Sequence, residues 1–147
     1  MAETNEIFRP PVGTGSMELK MSSDDTDGAF SVFLQTLPEG EGTNTHLHEN
    51  CQEACYVIEG EVTVSMGGVI QTYSAGESFF APLGVPHAIS NFGTSTARFL
   101  VVTTPGGLES FFREIEREQE SGAGDAQSVR QIAQRHGMKV VGPALAN

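Results

Sequence analysis

The sequence has few basic residues, few cysteines and no long apolar segment. Its 147 residues include 8 Lys and Arg against 19 Asp and Glu, so the net charge is −11. Nucleic acids and anionic membrane surfaces attract basic faces, and we expect neither as a partner. No stretch approaches the roughly 20 apolar residues of a membrane span. The first twelve residues lack the basic start and apolar run of a signal peptide, so we expect a cytoplasmic protein.

The two cysteines, Cys51 and Cys55, are expected to be reduced thiols. Residues four apart on a strand lie about 13 Å from each other, which is too far for a disulfide unless the chain bends. No second cysteine pair is present that would complete a zinc site. The cysteines therefore predict neither a disulfide framework nor a zinc site.

Short runs of apolar and β-branched residues, separated by turn residues, predict an all-β fold. Gly is abundant at 17 residues, and Gly67-Gly68 is a hairpin dipeptide between two such runs. Strands at this spacing are typical of a sandwich or barrel. The main predicted strands span residues 17–21, 29–37, 54–58, 61–66, 69–73, 78–81, 87–91 and 97–103.

The pattern changes to a helical period after residue 104. Leu108, Phe111, Phe112 and Ile115 follow an amphipathic helical spacing. This face either packs against the sheet as core or forms a lid over a pocket. A second helix is predicted to begin at a capping Asp125. Its inward residues and its end are predicted at Val129, Ile132, Ala133 and Gly137.

The predicted organisation is an N-terminal arm, a barrel and a helical segment. The arm spans residues 1–15 and includes an edge strand, the barrel spans 16–104, and the segment 105–147 packs on the barrel. His136 lies near the end of the second helix, where a residue that can carry positive charge favours the helix dipole.

Three histidines and one glutamate are placed to hold a metal ion. His46 and His48 are two residues apart, so on a strand both rings project from one face. Glu53 follows a short loop and can return a carboxylate to the same point. His87 follows Pro82-Leu83-Gly84-Val85-Pro86, a stiff turn that determines where the next strand begins. Buried together without a metal, these polar groups would be costly.

The same residues lie in two motifs that resemble those of the cupin superfamily. The first motif reads Gly40-x5-His46-x-His48-x4-Glu53-x6-Gly60. The second motif reads Gly76-x5-Pro82-x-Gly84-x2-His87-x3-Asn91. Both patterns are complete and in order. The resemblance implies a jelly-roll barrel of two antiparallel sheets, here with two short C-terminal helices, in which Asn91 has a structural role.

The resemblance also implies that His46, His48, Glu53 and His87 bind one divalent transition metal. Three imidazoles and a carboxylate suit iron, nickel, manganese, cobalt, copper or zinc. Four protein ligands leave coordination positions open for substrate, water or dioxygen, which favours chemistry over a metal that only braces the barrel.

Residues 38–115 resemble small quercetin 2,3-dioxygenase-like cupins. The activity this implies is oxygenation of an aromatic or enolic hydroxy-ketone, with Glu53 as both metal ligand and general base. The candidates for an apolar substrate pocket are Phe30, Phe33, Tyr56, Phe79 and Phe111.

Two other functions remain open from the sequence. One is a polyketide cyclase or isomerase that uses the metal as a Lewis acid without oxygen. The other is a non-catalytic cupin that binds a small molecule. Because a jelly roll retains sheet edges that need covering, we also predict a homodimer formed through the N-terminal arm and an edge strand.

Overall fold

Eleven strands and two α-helices make up the part of the chain described by the computed structural model, which comprises residues 5–10, 13–122 and 124–147. The strands are β1 (Ile7–Phe8), β2 (Ser16–Met21), β3 (Ser31–Leu37), β4 (Asn44–His48), β5 (Gln52–Glu59), β6 (Glu61–Met66), β7 (Val69–Ser74), β8 (Ser78–Ala81), β9 (His87–Ser90), β10 (Ala97–Thr104) and β11 (Met138–Ala144). The helices are α1 (Leu108–Glu120) and α2 (Ala126–Arg135), and a short 3-10 helix spans Asp24–Thr26.

The strands form two antiparallel sheets, which confirms the predicted jelly-roll architecture. The first sheet has the order β1-β2-β3-β10-β5-β8, and the second has the order β11-β4-β9-β6-β7. The hairpin between β6 and β7 turns at Gly67 and Gly68, whose φ angles are 59° and 88°. Two successive positive φ angles are a conformation that glycine adopts without strain, so this dipeptide sets the register of the hairpin.

The core lies between the two sheets because the strands alternate buried and exposed side chains. In β10, every second residue from Ala97 to Thr103 is buried. Phe33 and Phe99 of the first sheet are fully buried, as is Val62 of the second. Apolar burial of this kind is the main favourable contribution to folding.

Both predicted C-terminal helices are present. In α1 the predicted residues Leu108, Phe111 and Ile115 are buried. The carboxylate of Asp125 caps α2 by accepting a hydrogen bond from the amide of Ser128 at 2.8 Å. Neither helix in the described ranges is long and apolar enough to cross a membrane.

The C-terminal segment contributes more than helices, since it ends in a strand that was not predicted. After the left-handed Gly137, β11 pairs with β4, where Met138 lies opposite His48 and Val140 opposite His46. The segment 105–147 was predicted to pack on the barrel as helices, but its last part belongs to the second sheet. The sequence did not predict this strand, because apolar and polar residues alternate only weakly between Met138 and Ala144. In the structure its register with β4 is also irregular.

The predicted N-terminal arm contains the edge strand β1. Ile7 lies opposite Glu18 of β2, and Phe8 is buried and stacks on Phe112 with ring centroids 5.4 Å apart. Residues 1–4 and 11–12 of the arm lie outside the described residues. The described part of the arm is therefore anchored to the first sheet and to α1.

Candidate metal centre

Strand β4 carries the first two histidines of the site. His46 and His48 project from the same face because strand side chains alternate, and their ring centroids are 5.1 Å apart. His48 is buried, whereas His46 is partly exposed. The two imidazoles therefore meet at one point, as their spacing predicted.

The third histidine begins β9 directly opposite β4. His87 is the ladder partner of His46, and their ring centroids lie 4.5 Å apart. The proline-rich turn before it is fixed to β4, since the amide of Gly84 donates to the carbonyl of His48 at 2.8 Å. This contact places the start of β9, and hence the ring of His87, beside the other two.

Glu53 reaches the histidines from the other sheet. It lies on β5, and its Oε1 atom is 2.9 Å from Nε2 of His48 and 3.1 Å from Nε2 of His87. The ligating atoms of these four residues all lie within 4.8 Å of one another. The structure thus brings together all four residues that the sequence placed in the site.

Backbone carbonyls fix the orientation of two of the rings. Nδ1 of His46 lies 2.7 Å from the carbonyl oxygen of Asn44, and Nδ1 of His87 lies 3.0 Å from that of Val85. An Nδ1–H that donates to a carbonyl leaves Nε2 to face a metal. These contacts at Nδ1 therefore support metal binding by His46 and His87 through Nε2.

Burial and mutual contacts shift the pKa values of His46, Glu53 and His87. Burial, assisted by the positive charge of His87, lowers the pKa of His46 to about 4. Burial acts to raise the pKa of Glu53, but the contacts with His48 and His87 outweigh it and leave this pKa well below its usual range. Burial also opposes protonation of His87, yet the contact with Glu53 raises its pKa overall. At neutral pH, Glu53 is ionised and His46 is neutral.

The donor set fits a divalent transition metal. Neutral imidazoles and a carboxylate are ligands for iron, nickel, manganese, cobalt, copper and zinc, and here they converge in a buried place. Cys51 and Cys55 do not add to the set. Both are buried free thiols, as predicted, and burial followed by the charge of Glu53 raises the pKa of Cys51 to about 12. A neutral thiol is a poor metal ligand.

A cavity of about 340 Å³ adjoins the cluster, and all four candidate ligands lie on its wall. Both sheets and both helices contribute lining residues. Its apolar wall includes Phe8, Leu37, Ile89, Leu108, Phe112 and Val129. The apolar face of α1 thus packs into the core and also covers the cavity, which combines the two interpretations left open by the sequence.

Of the five predicted pocket residues, Phe111 lines this cavity and the other four do not. Phe30 and Tyr56 are 36% and 48% exposed and lie at the surface. Phe33 packs in the core against Phe112, and Phe79 packs against Tyr73. An aromatic residue on a strand can face either side of a sheet, and composition alone does not say which side meets the cavity.

Several lining residues were missed because they lie far from the two motifs. Phe8 comes from the N-terminal arm, Val129 from α2, and Met138 from the unpredicted strand β11. Val129 carried a usable signal, since the helical period already placed it inward. Phe8 and Met138 offered no local signal for the cavity.

Comparison with known families agrees with this geometry. A family model described as the cupin domain matches residues 33–103, a range that contains all four candidate ligands. This region is a cupin domain. The matched range contains strands β4 to β9 and both motifs, in agreement with the resemblance that the motifs implied.

Individual relatives of the cupin domain include enzymes. Quercetin 2,3-dioxygenase of Bacillus subtilis is 26% identical over 113 residues, which are 77% of this chain and 33% of that protein. Polyketide synthase CurC of Streptomyces cyaneus is 30% identical over 82 residues, 54% of this chain and 53% of that protein. The chain thus spans about a third and about half of these relatives.

A solved structure shows the same fold. The structure described as a predicted oxalate decarboxylase from Thermotoga maritima superposes with a TM-score of 0.62 at 27% identity. The match covers 69% of this chain and 92% of that one. The shared fold therefore extends over most of that solved structure.

Proposed function

We propose that this cupin domain is a metal-dependent enzyme that acts on an aromatic or enolic hydroxy-ketone, as a quercetinase-like dioxygenase. The observation that carries the proposal is the buried cluster of His46, His48, Glu53 and His87 on the wall of an apolar cavity. The similarity to the Bacillus quercetinase supports the choice of reaction. A perturbed titratable cluster in an apolar cavity is the usual mark of an active site.

The metal is proposed to bind at these four residues. A divalent transition metal held there supplies Lewis acidity and open positions for substrate and dioxygen. The protein contributes the orientation of the ligands, because backbone carbonyls hold Nδ1 of His46 and His87. It also contributes a low-dielectric surrounding, since His48 and His87 are 4% and 2% exposed.

Glu53 is proposed as the general base for the substrate hydroxyl. Its carboxylate is ionised at neutral pH, which is the form that accepts a proton. The carboxylate also lies on the cavity wall, where a bound substrate can reach it. Proton removal at this position would leave an enolate or phenolate next to the ligand cluster.

The cavity favours a small, largely apolar substrate. Its volume of about 340 Å³ is near the lower end of the about 300–1,000 Å³ typical of small-molecule sites. Phe111 and Phe112, whose ring centroids are 5.2 Å apart, present aromatic surface to it from α1. Aromatic walls bind aromatic ligands through offset or edge-to-face contacts.

The test is elemental analysis of the purified protein together with oxygen uptake in the presence of flavonols and polyketide-like phenols. The dioxygenase proposal expects bound metal and substrate-dependent oxygen uptake. Glu53→Gln should lower turnover by about 10²–10⁴-fold, measured at matched metal content. Glu39→Gln, which changes an exposed glutamate, is the control. Unchanged turnover in Glu53→Gln with metal retained would refute the role as base.

A polyketide cyclase or isomerase is the second candidate, and the similarity to the polyketide synthase CurC favours a polyketide-like substrate. A metal held by the four residues would supply Lewis acidity towards a carbonyl, and Glu53 would move a proton, with no oxygen consumed. Bound zinc, turnover of polyketide-like phenols and no oxygen uptake would support the cyclase over the dioxygenase. A protein that takes up no metal would indicate a non-catalytic binding cupin.

A further inference from the structure

A buried threonine lies beside Glu53 on the neighbouring strand. Thr103 of β10 is the direct ladder partner of Glu53 on β5 and is 0% exposed. Residues opposite each other in an antiparallel ladder share a face, with Cβ atoms about 4.5–5.5 Å apart. The side chain of Thr103 therefore stands next to that of Glu53 on the inner face of the first sheet.

The hydroxyl of Thr103 lacks a hydrogen-bond partner. Its Oγ1 atom and Oγ of Ser90 are the two buried side-chain polar atoms without one among the described residues. Most buried polar groups in native proteins are paired, because an unpaired one keeps the cost of losing water. Because this hydroxyl stands beside a residue of the candidate metal centre, we expect it to gain a hydrogen-bond partner when that centre binds metal.

In the structure, the other neighbours of Glu53 and Thr103 in this row of the sheet form no side-chain hydrogen bond with them. On its far side, Glu53 lies opposite Ala81, whose side chain has no donor. Thr103 lies opposite Ser31 on its far side, and the Ser31 hydroxyl already donates to Glu109 at 2.7 Å. Within this row of side chains, the hydroxyl of Thr103 is thus an unpaired donor, and the carboxylate of Glu53 is the acceptor opposite it.

Metal binding would change which hydrogen bonds the carboxylate of Glu53 accepts. In the structure its Oε1 atom is contacted by Nε2 of His48 and of His87. An imidazole nitrogen that gives its lone pair to a metal no longer carries a proton to donate. The carboxylate then loses both of these hydrogen bonds, and a donor from the neighbouring strand can replace one of them.

We propose that Thr103 is a positioning residue for Glu53, with its hydroxyl donating to the carboxylate when the four-residue site holds metal. The inference rests on the metal binding assumed in the proposed function, though not on the reaction. It assigns to Thr103 the orientation of the ligating carboxylate, a role that hydrogen bonds to metal ligands commonly have.

The test compares three variants with the wild-type protein. Thr103→Val removes the hydroxyl and keeps the shape, and Thr103→Ser keeps the hydroxyl. Ser90→Ala is the matched control, because it removes the other unpaired buried hydroxyl, which lies opposite Thr63 and not opposite a ligand. The measurements are Zn²⁺ and Co²⁺ dissociation constants by chelator competition, the Co²⁺ absorption spectrum, and the melting temperature without metal.

The expected result separates a positioning role from a structural one. Thr103→Val should weaken metal binding by about 10–100-fold and change the Co²⁺ spectrum. Its melting temperature without metal should stay the same or rise, since the lost hydroxyl had no partner. Thr103→Ser should restore the affinity, and Ser90→Ala should leave it at the wild-type value.

Two outcomes would overturn the inference alone. One is wild-type metal affinity in Thr103→Val, and the other is an equal loss in Thr103→Val and Thr103→Ser, which would assign the effect to packing. A wild-type protein that binds neither Zn²⁺ nor Co²⁺ would overturn this inference together with the proposed metal site. Metal binding that depends on Thr103 but occurs without turnover would support the inference and count against the proposed enzyme.

Discussion

His87 holds the proton that metal binding must displace. Both of its ring nitrogens have acceptors, Nδ1 the carbonyl of Val85 and Nε2 the carboxylate of Glu53. This is the arrangement of an imidazolium, and the pair with Glu53 raises the pKa of His87 above its ordinary 6.5. His46, with a pKa of about 4, carries no such proton at neutral pH.

Metal affinity is therefore expected to fall as the pH is lowered through the raised pKa of His87. Below that pKa the proton competes with the metal, and above it the competition is lost. Calorimetric titration in buffers of different ionisation enthalpy should show proton release on metal binding at pH values below the raised pKa of His87. In Glu53→Gln the release should shrink, because the carboxylate that raises the pKa is gone. Proton-independent binding in the wild type would contradict this assignment.

The four candidate ligands could be predicted from the sequence because each depends on local geometry. His46 and His48 share a face through the two-residue period of a strand, and a stiff turn places His87. The pocket aromatics could not be predicted in the same way. Tyr56 and Phe79 are on strands whose inward face is set by pairing with distant strands, and the cavity forms where those strands meet the helices.

At the scale of elements, a buried carboxylate fastens α1 to the first sheet. Glu109, in the first turn of α1, is 2% exposed. Its two oxygens accept hydrogen bonds from the Ser31 hydroxyl at 2.7 Å and from the Ser23 amide at 2.6 Å. These contacts join the helix to β3 and to the turn before it, and so hold α1 over the cavity.

Glu109→Ala is expected to lower the free energy of unfolding by about 1–3 kcal/mol, because it leaves the buried hydroxyl of Ser31 and the partly buried amide of Ser23 unpaired. Glu120→Ala, at the exposed end of the same helix, should change it by less than about 0.5 kcal/mol. Denaturant unfolding of the metal-free proteins measures both. Equal stability of the two variants would show that the contacts of Glu109 do not hold the helix.

The helix α1 and the strand β11 differ in how clearly the sequence predicts them. The helix α1 was evident because its apolar residues recur with a clear helical period over two turns. Strand β11 was not, since Gly142 and Pro143 interrupt its pattern and its side chains are mostly exposed. It exists because β4 offers a free edge beside the metal centre, a condition that only the assembled sheet creates.

At the scale of the whole molecule, the homodimer remains a prediction. The N-terminal arm places β1 at one edge of the six-stranded sheet, where Ile7 is 46% exposed. A sheet edge with unpaired backbone groups and an exposed apolar side chain is suited to contact a second copy.

Ile7→Glu is expected to shift the protein from dimer to monomer at micromolar concentration, because it places a charge in the proposed contact. Val69→Glu is the matched control, since Val69 is 66% exposed on β7, an edge strand of the other sheet. Light scattering coupled to size-exclusion chromatography measures the mass. A wild-type protein that is monomeric under these conditions would contradict the dimer, and dissociation in Val69→Glu alone would place the contact at the other sheet.

An all-β fold and two C-terminal helices could be predicted from the sequence pattern, and the motif resemblance implied the jelly roll and the four candidate ligands. These features depend on side-chain periods, turn residues and motif spacings, all of which act over short stretches of chain. Tertiary structure decided which residues line the cavity, where the last strand lies, and that Thr103 stands beside Glu53. Those relations join segments far apart in the chain, and they depend on strand register and helix packing that arise only when the whole chain folds.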